Sequence, residues 1–179
     1  TGTIKVAIES LLKSNINHSI QDTVTVYLSN TLLPNQKLDS AKSVINPITL
    51  TGVFLFNKYN ANGNYYIIVK HRSSIMVWSQ PKYITFGIGA VFSYDFTTSA
   101  SKAFGNNMTF KYSKYCLYSG DIDQDGIIDV SDLVLVYNDA VILASGYVNT
   151  DLTGDMFVDV SDVLIAYNNS SLYIVSVTP

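Results

Sequence analysis

Cysteine is almost absent from this sequence, since Cys116 is the only one in 179 residues. A single cysteine cannot form a disulfide within the chain, and no histidine or second cysteine lies near it to suggest a metal site or a nucleophile. Long apolar runs are absent too, because none reaches the roughly 18 residues that a membrane-spanning helix needs. These absences exclude a disulfide scaffold and a membrane span.

Catalytic side chains are also scarce. The two histidines are His18, in a polar turn, and His71, which we expect to be solvated at the end of a strand. The first 118 residues contain only four acids, none paired in sequence: Glu9, Asp22, Asp39 and Asp95. The sequence contains no Gly-x-Ser-x-Gly, no P-loop and no dinucleotide fingerprint. We therefore predict that the chain is not an enzyme.

Basic residues are missing after Lys114, although the first 118 residues hold all eleven of them and carry a net charge of +7. The remaining residues contain ten acids and no base, a net charge of −10. Such asymmetry can indicate nucleic-acid binding, but here the lysines are scattered singly and form no cluster in sequence. We expect no nucleic-acid partner.

The acids of the C-terminal part are spaced as calcium ligands. Residues 121–132 place carboxylates at positions 1, 3, 5, 9 and 12 of a twelve-residue loop, with Gly126 at position 6 and the Ile127 carbonyl at position 7. The five carboxylates are those of Asp121, Asp123, Asp125, Asp129 and Asp132. Calcium takes about six to eight oxygen ligands, and an EF-hand loop supplies them at this spacing with a glycine at the bend. The sequence predicts a calcium site here.

A second copy of the loop follows thirty residues later, at residues 151–162. Its predicted ligands are Asp151, Thr153, Asp155, Asp159 and Asp162 with the Phe157 carbonyl. Met156 occupies the position of the glycine, so we expect it to adopt a left-handed conformation at a cost of about 1 kcal/mol. One carboxylate fewer and this strain predict a second calcium ion that is bound more weakly.

A helix is predicted after each loop, at residues 130–143 and 160–171, with a serine available to cap each first turn. Only six residues, 145–150, separate the first helix from the second loop, so helices that enter the loops have no room. The repeated loop-then-helix unit, with Asp at position 12, resembles a dockerin of the type with two F-hand calcium motifs. The resemblance implies a calcium-dependent module that binds a cohesin-like partner.

The same resemblance implies a partner surface. Recognition in dockerins uses residues just after the ninth loop position and one to two helical turns later. These are Val130, Ser131, Tyr137 and Asn138 in the first copy and Val160, Ser161, Tyr167 and Asn168 in the second. Their identity in both copies suggests two equivalent faces related by a pseudo-twofold axis. The alternative is that both tyrosines fill the same core.

The first 118 residues read as strands. Seven short segments, rich in β-branched and aromatic residues, are separated by turn signals: 3–8, 22–28, 53–56, 65–70, 75–78, 82–86 and 91–96. We predict an all-β sandwich, immunoglobulin-like or prealbumin-like, over residues 1–115 and a small helical module over 116–179. We expect the two modules to pack against each other.

The whole chain also resembles the C-terminal ends of long secreted proteins from Bacteroidetes-type and Ignavibacteria-type bacteria, on residues 65–72, 115–121 and Pro179. This implies a piece of a secreted or surface protein. One alternative function is a calcium-stabilised cap that docks on its own sandwich. Another is carbohydrate binding by exposed aromatic rings, for which the candidates are Tyr59, Tyr65, Tyr66, Trp78 and Tyr83.

Overall fold

The computed structural model describes residues 1–14, 19–34, 36–57 and 61–179, so His18 and Tyr59 lie outside the described residues. The N-terminal strands are β1 (Gly2–Lys5), β2 (Thr23–Asn30), β3 (Lys37–Val44), β4 (Thr51–Phe54), β5 (Gly63–His71), β6 (Ser74–Trp78), β7 (Lys82–Ile84) and β8 (Phe92–Asp95). Short 3₁₀ helices at Ala100–Lys102 and Phe104–Asn106 precede β9 (Thr109–Lys111) and β10 (Lys114–Cys116). The C-terminal elements are β11 (Ile127–Ile128), α1 (Val130–Val141), α2 (Val160–Ser170) and β12 (Ile174–Val175).

The first eight strands form two sheets that share one core. One sheet has the order β3-β2-β5-β6, with β7 pairing to the beginning of β5, and the other has the order β4-β1-β8. Alternate residues of β2 and β5, such as Val26 and Ile67, point inward and pack with Ile4 and Phe54 of the smaller sheet. This is the predicted β-sandwich.

All seven predicted strand segments contain a strand, but the prediction missed β3. This strand lies at the edge of the larger sheet, where it pairs only with β2 among the described residues, and its side chains are mostly polar. Edge strands commonly carry lysine, which discourages pairing with other chains, and β3 has Lys37 and Lys42. Its sequence therefore lacks the apolar alternation of a strand.

The C-terminal part is built from a thirty-residue repeat. Each loop runs into one helix, and the two helices pack around a small core that contains Val136, Ala166 and Leu152. Each loop also pairs with the segment that follows the opposite helix: β11 of the first loop pairs with β12, and Phe157 pairs with Ser145. The repeat is therefore closed by a pseudo-twofold exchange of short strands.

The sandwich and the C-terminal part share apolar core. Ile128 and Ile174, from the β11 and β12 pair, belong to the same buried cluster as Leu117 and the strands of the sandwich. Leu117 pairs with Ile8, and Ser119 pairs with Ser74, so the backbone follows the sandwich up to the start of the first loop. The boundary after residue 115 stays a prediction. Within the described residues, neither helix has the length or hydropathy to span a membrane.

Candidate functional site

Three carboxylates of the first loop converge. Oxygens of Asp121, Asp123 and Asp132 lie within 4.8 Å of one another, and Asp121 and Asp132 are buried. Asp121 Oδ1 is buried and has no hydrogen-bond partner. Burial, together with the neighbouring negative charges, raises the pKa of Asp121 to about 7. Crowded carboxylates, one of them with a buried oxygen that no donor serves, are the arrangement that a hard cation stabilises.

Asp132 organises the loop around itself. One of its oxygens accepts hydrogen bonds from the backbone N–H of Ile122 (2.7 Å) and Asp123 (3.3 Å), and the other accepts from Asp129 (3.0 Å). Asp129 is the N-cap of α1, and its carboxylate accepts from Ser131 N–H, so the two acids form a capping box. The prediction that a serine caps each helix was wrong, because an aspartate at loop position 9 does so.

The other predicted ligands of the first loop lie outside the cluster of three. Asp125 accepts a hydrogen bond from Ile127 N–H at 2.8 Å, and Asp129 accepts from Ser131. The Ile127 N–H therefore points into the loop. In an antiparallel pair without mutual hydrogen bonds, N–H and C=O of a residue both point away from the partner strand. Ser176 N–H, directly after β12, donates to the Gly126 carbonyl at 2.7 Å, so Ile127 and Val175 form a pair without mutual hydrogen bonds. The Ile127 carbonyl therefore also faces the loop, as position 7 requires.

The second loop repeats this geometry, but its first carboxylate accepts more hydrogen bonds from the backbone. Asp162 accepts from the N–H groups of Thr153 (2.8 Å) and Asp159 (2.9 Å), and Asp159 caps α2. Asp155 accepts from Phe157 N–H at 3.0 Å, and the backbone bonds Gly146 N–H to Met156 O and Val158 N–H to Ala144 O flank the pair of Phe157 with Ser145. Phe157 is therefore in a pair without mutual hydrogen bonds, and its carbonyl faces the loop. Asp151 differs from its counterpart Asp121, because its oxygens accept from Gly154 N–H (2.8 Å) and Met156 N–H (3.1 Å). Backbone donors thus already serve the first carboxylate of this loop.

The loops place their glycines differently on the same backbone. Both have left-handed residues at positions 4 and 6, which are Gln124 (φ 63°) and Gly126 (φ 90°) in the first loop. In the second loop they are Gly154 (φ 72°) and Met156 (φ 74°). The predicted left-handed Met156 is confirmed. Each loop nevertheless contains one strained non-glycine residue, so strain at Met156 does not separate the two loops in affinity.

All eight predicted partner residues are exposed. Tyr137 and Tyr167 have the same exposed fraction, 57%, so the alternative that both tyrosines fill the core is wrong. A groove of about 350 Å³ between the helices has an entirely apolar and tyrosine lining: Leu133, Val134, Tyr137, Val160, Val163, Leu164 and Tyr167. Exposed apolar patches of this kind mark interaction surfaces.

The four aromatic candidates for carbohydrate binding that the structure describes do not form a platform. Tyr65, Tyr66 and Trp78 are buried, and the Trp78 ring meets Tyr66 edge-on. Only Tyr83 is exposed among the described candidates. Sugar stacking needs accessible ring faces, so these buried rings serve the sandwich core.

A polar cluster between the sandwich and the second loop was not predicted. Arg72 Nε lies 3.0 Å from Asp22 Oδ2, and the Tyr147 hydroxyl donates to the other Asp22 oxygen. His71 Nε2 lies 3.2 Å from Asp22 Oδ2 and is fully buried, so the expectation of a solvated His71 was wrong. Burial lowers the pKa of His71 despite the adjacent carboxylate. Burial opposes a charged Asp22, but His71, whose Nε2 lies 3.2 Å away, and the hydrogen bond from the Tyr147 hydroxyl hold the pKa of Asp22 well below its usual range.

Comparison with protein-family models and with curated proteins gives no match. Among solved structures, a chain from a type II cohesin–X-dockerin complex of Acetivibrio cellulolyticus, a C-terminal interface mutant, is 16% identical; the alignment covers 96% of this chain and 98% of that one, with a TM-score of 0.56. A chain from the N-terminal interface mutant of that complex is 17% identical, with coverages of 97% and 100% and a TM-score of 0.52. At this identity the likeness concerns the fold alone.

Proposed function

We propose that the chain is a non-catalytic interaction tail, in which a β-sandwich carries a dockerin-like, calcium-dependent pair of loop–helix repeats. The tail attaches a larger secreted or surface protein to a cohesin-like partner. The observation that carries this proposal is the exposed apolar groove between α1 and α2, the two helices that follow the oxygen-lined loops. We assign the sandwich an immunoglobulin-like or prealbumin-like character.

The donor sets of both loops fit calcium. Every proposed side-chain ligand is a carboxylate or hydroxyl oxygen, and the unpartnered Asp121 Oδ1 sits beside Asp123 and Asp132. Bound calcium supplies positive charge that relieves the repulsion between these carboxylates. Asp132 and Asp162 also complete the capping boxes that begin α1 and α2. Because the same two carboxylates are proposed calcium ligands, the ordering of each loop is coupled to the ordering of its helix. The first loop has five carboxylates and the second has four, so we expect tighter binding at the first.

The partner class follows from the fold and the surface. The solved chains with this fold come from complexes of a cohesin with an X-dockerin. We assign this chain to the dockerin-like side because its two calcium-type loops, each followed by a helix, resemble a dockerin. The groove offers Tyr137 and Tyr167 at equivalent places, and tyrosine is enriched where a few residues dominate binding energy. We therefore propose that a cohesin-like protein covers the groove.

The test is a binding titration against a panel of cohesin domains, once with calcium and once with chelator. We expect binding only with calcium, and loss of at least about tenfold in affinity when Tyr137 and Tyr167 are both changed to Ser. The matched control makes the same change to Ser at Tyr83 and Tyr112, which are exposed tyrosines outside the two helices. It should leave the affinity for the cohesin unchanged. Binding that survives chelator, or that ignores the helix tyrosines, contradicts the proposal.

A second candidate function is a calcium-stabilised cap for the sandwich itself. It is favoured by Ile128 and Ile174, which complete the buried sandwich core. The two candidates differ in the fate of the groove, because a cap leaves it without a partner. If calcium raises the melting temperature of the whole chain while no cohesin binds, the cap is the better description.

A further inference from the structure

The turn between β5 and β6 is buried under both loops. Turns normally lie at the surface, but Ser73 and Ser74 are fully buried and Arg72 has only 10% of its side chain exposed. The Ser73 carbonyl accepts a hydrogen bond from Gly120 N–H, directly before the first loop, at 2.7 Å. The next residue back, Arg72, contacts the second loop. One tight turn of the sandwich therefore touches the starts of both loops.

The contact of Arg72 with the second loop is specific. Its guanidinium donates to the carbonyl of Val148 and, at 2.8 Å, to the carbonyl of Asp151, which is the first residue of the loop. The same group is held by Asp22 at 3.0 Å and lies over the Tyr147 ring at 4.6 Å. A planar guanidinium with several fixed donors can bridge these acceptors, and a lysine ammonium cannot reproduce that geometry.

The first loop obtains the equivalent hydrogen bond from its own sequence. The side chain of Gln124, at loop position 4, donates to the carbonyl of Asp121 at 2.5 Å. Position 4 of the second loop is Gly154, which has no side chain to do this. A Cβ at Gly154 would lie 2.9 Å from side-chain atoms of Leu11 and Ile20, so the sandwich occupies the space where such a side chain would be.

We propose that Arg72 is a positioning residue of the second calcium loop, and that the sandwich completes this loop where Gln124 completes the first. The inference rests on the proposed calcium function and adds to it. It makes the affinity of the second loop a property of both modules, whereas the affinity of the first loop is set mainly by the loop itself.

The test separates the loops with matched substitutions. Asp125→Ala leaves only the second loop complete, and Asp155→Ala leaves only the first; both carboxylates are exposed and occupy loop position 5. Calcium is titrated calorimetrically into each full-length background with and without Arg72→Met. Substituting a residue that supports a metal ligand typically costs about 10–100-fold in affinity. We expect about a tenfold loss in the Asp125→Ala background and less than about twofold in the Asp155→Ala background.

Gln124→Met is the mirror control and should show the opposite selectivity. Where Arg72→Met does not fold, Arg72→Lys serves, with a smaller loss confined to the second loop. Amide hydrogen exchange without calcium gives a second readout for Arg72→Met. In this variant we expect exchange to become faster at Thr153 and Gly154 but not at Asp123 and Asp125. Equal losses at both loops, or none at the second, overturn the inference. If neither background binds calcium, the proposed function itself has failed.

Discussion

The two halves of the C-terminal repeat have the same backbone but differ in what surrounds them. Residues that are identical in both halves are loop acids, helix caps or outward-facing side chains, such as Asp121 and Asp151, Asp129 and Asp159, or Tyr137 and Tyr167. Residues that differ between the halves include those that meet the sandwich. Gln124 corresponds to Gly154, which packs on Leu11 and Ile20. The repeat is therefore symmetric toward solvent and asymmetric toward the sandwich.

Asp139 and Asn169 show the same rule on the helices. Asp139 accepts a hydrogen bond from the Thr150 hydroxyl within the C-terminal part. Asn169, thirty residues later, is buried and donates from Nδ2 to both Glu9 Oε2 and the Ser119 carbonyl, each at 2.7 Å. A carboxylate has no proton for such acceptors, so only an amide suits the second position. The change from Asp to Asn marks the face that docks.

Removing the carboxylate at loop position 12 should have the largest effect. Asp132→Ala leaves three backbone N–H groups without acceptors and Asp162→Ala leaves two. Each lost buried partner costs roughly 1–3 kcal/mol, so we expect losses of about 4 and about 3 kcal/mol in saturating calcium. Chemical denaturation measures the stability, and calorimetry should show one bound ion fewer. Two ions bound by either variant would contradict the ligand assignment.

Asn169→Asp should cost about 3 kcal/mol, because it places a buried carboxylate against Glu9 and a carbonyl without a donor. The matched substitution Asp139→Asn keeps an acceptor for Thr150 and should cost less than about 1 kcal/mol. Urea unfolding of both variants tests the asymmetry directly. Equal effects would mean that α1 and α2 meet equivalent surroundings.

Alanine substitutions of the left-handed glycines Gly126 and Gly154 should have the next largest effect, and the loss of stability should differ between the two loops. Alanine at either position pays about 1 kcal/mol for its left-handed backbone. A Cβ added at Gly126 would meet Ser176 at 3.6 Å, an ordinary contact, whereas the Cβ of Gly154→Ala would lie 2.9 Å from Leu11 and Ile20, which must move. We expect losses of about 1 kcal/mol for Gly126→Ala and about 2 kcal/mol for Gly154→Ala, measured by thermal unfolding in calcium. A Gly154→Ala loss no larger than that of Gly126→Ala would show that the sandwich does not press on the second loop.

Local chemistry explains why the loops and helices could be predicted from sequence. Calcium ligation would fix a spacing within twelve residues, so the same acids from Asp121 to Asp132 predict the proposed site and the start of α1, and the observed helix begins at Val130. The seven strands were visible because each alternates or is rich in β-branched and aromatic side chains. Strand β3 was not, because its outward side chains are those of a charged edge.

The contact between the modules could not be predicted, since it depends on residues far apart in sequence. Asp22, Arg72 and Tyr147 are separated by 50 to 125 positions. Each looks like an ordinary surface residue in its own segment. His71 illustrates the error: its neighbours Lys70 and Arg72 predict a solvated residue, yet it is buried with its Nε2 3.2 Å from Asp22 Oδ2. Only a signal of pairing between distant positions would have shown this cluster.

The buried His71 should make stability depend on pH. Its pKa is lowered in the folded chain, so below about pH 6.5 the unfolded state binds a proton that the folded state does not. The free energy of unfolding should therefore fall as pH decreases from about 7.5 to about 5.5. Asp22 adds no loss in this window, because its pKa is lowered and it stays charged. Urea titrations in saturating calcium measure the effect, and His71→Gln should flatten it. His18→Gln is the control, and a slope that His71→Gln leaves intact would assign the effect elsewhere.

Met156→Gly should produce the smallest change. It tests whether backbone strain causes the difference in calcium affinity between the two loops. Glycine adopts the left-handed backbone of Met156 without steric cost, so the second loop should gain up to about 1 kcal/mol. Part of that gain is offset because glycine loses more conformational entropy on folding. The first loop also carries a left-handed non-glycine residue, Gln124. Met156→Gly should therefore raise the calcium affinity of the second loop by less than about tenfold and leave that affinity below that of the first loop. Calorimetric titration compares the two steps. If this one substitution makes the affinities equal, backbone strain and not the missing carboxylate at Thr153 sets the difference.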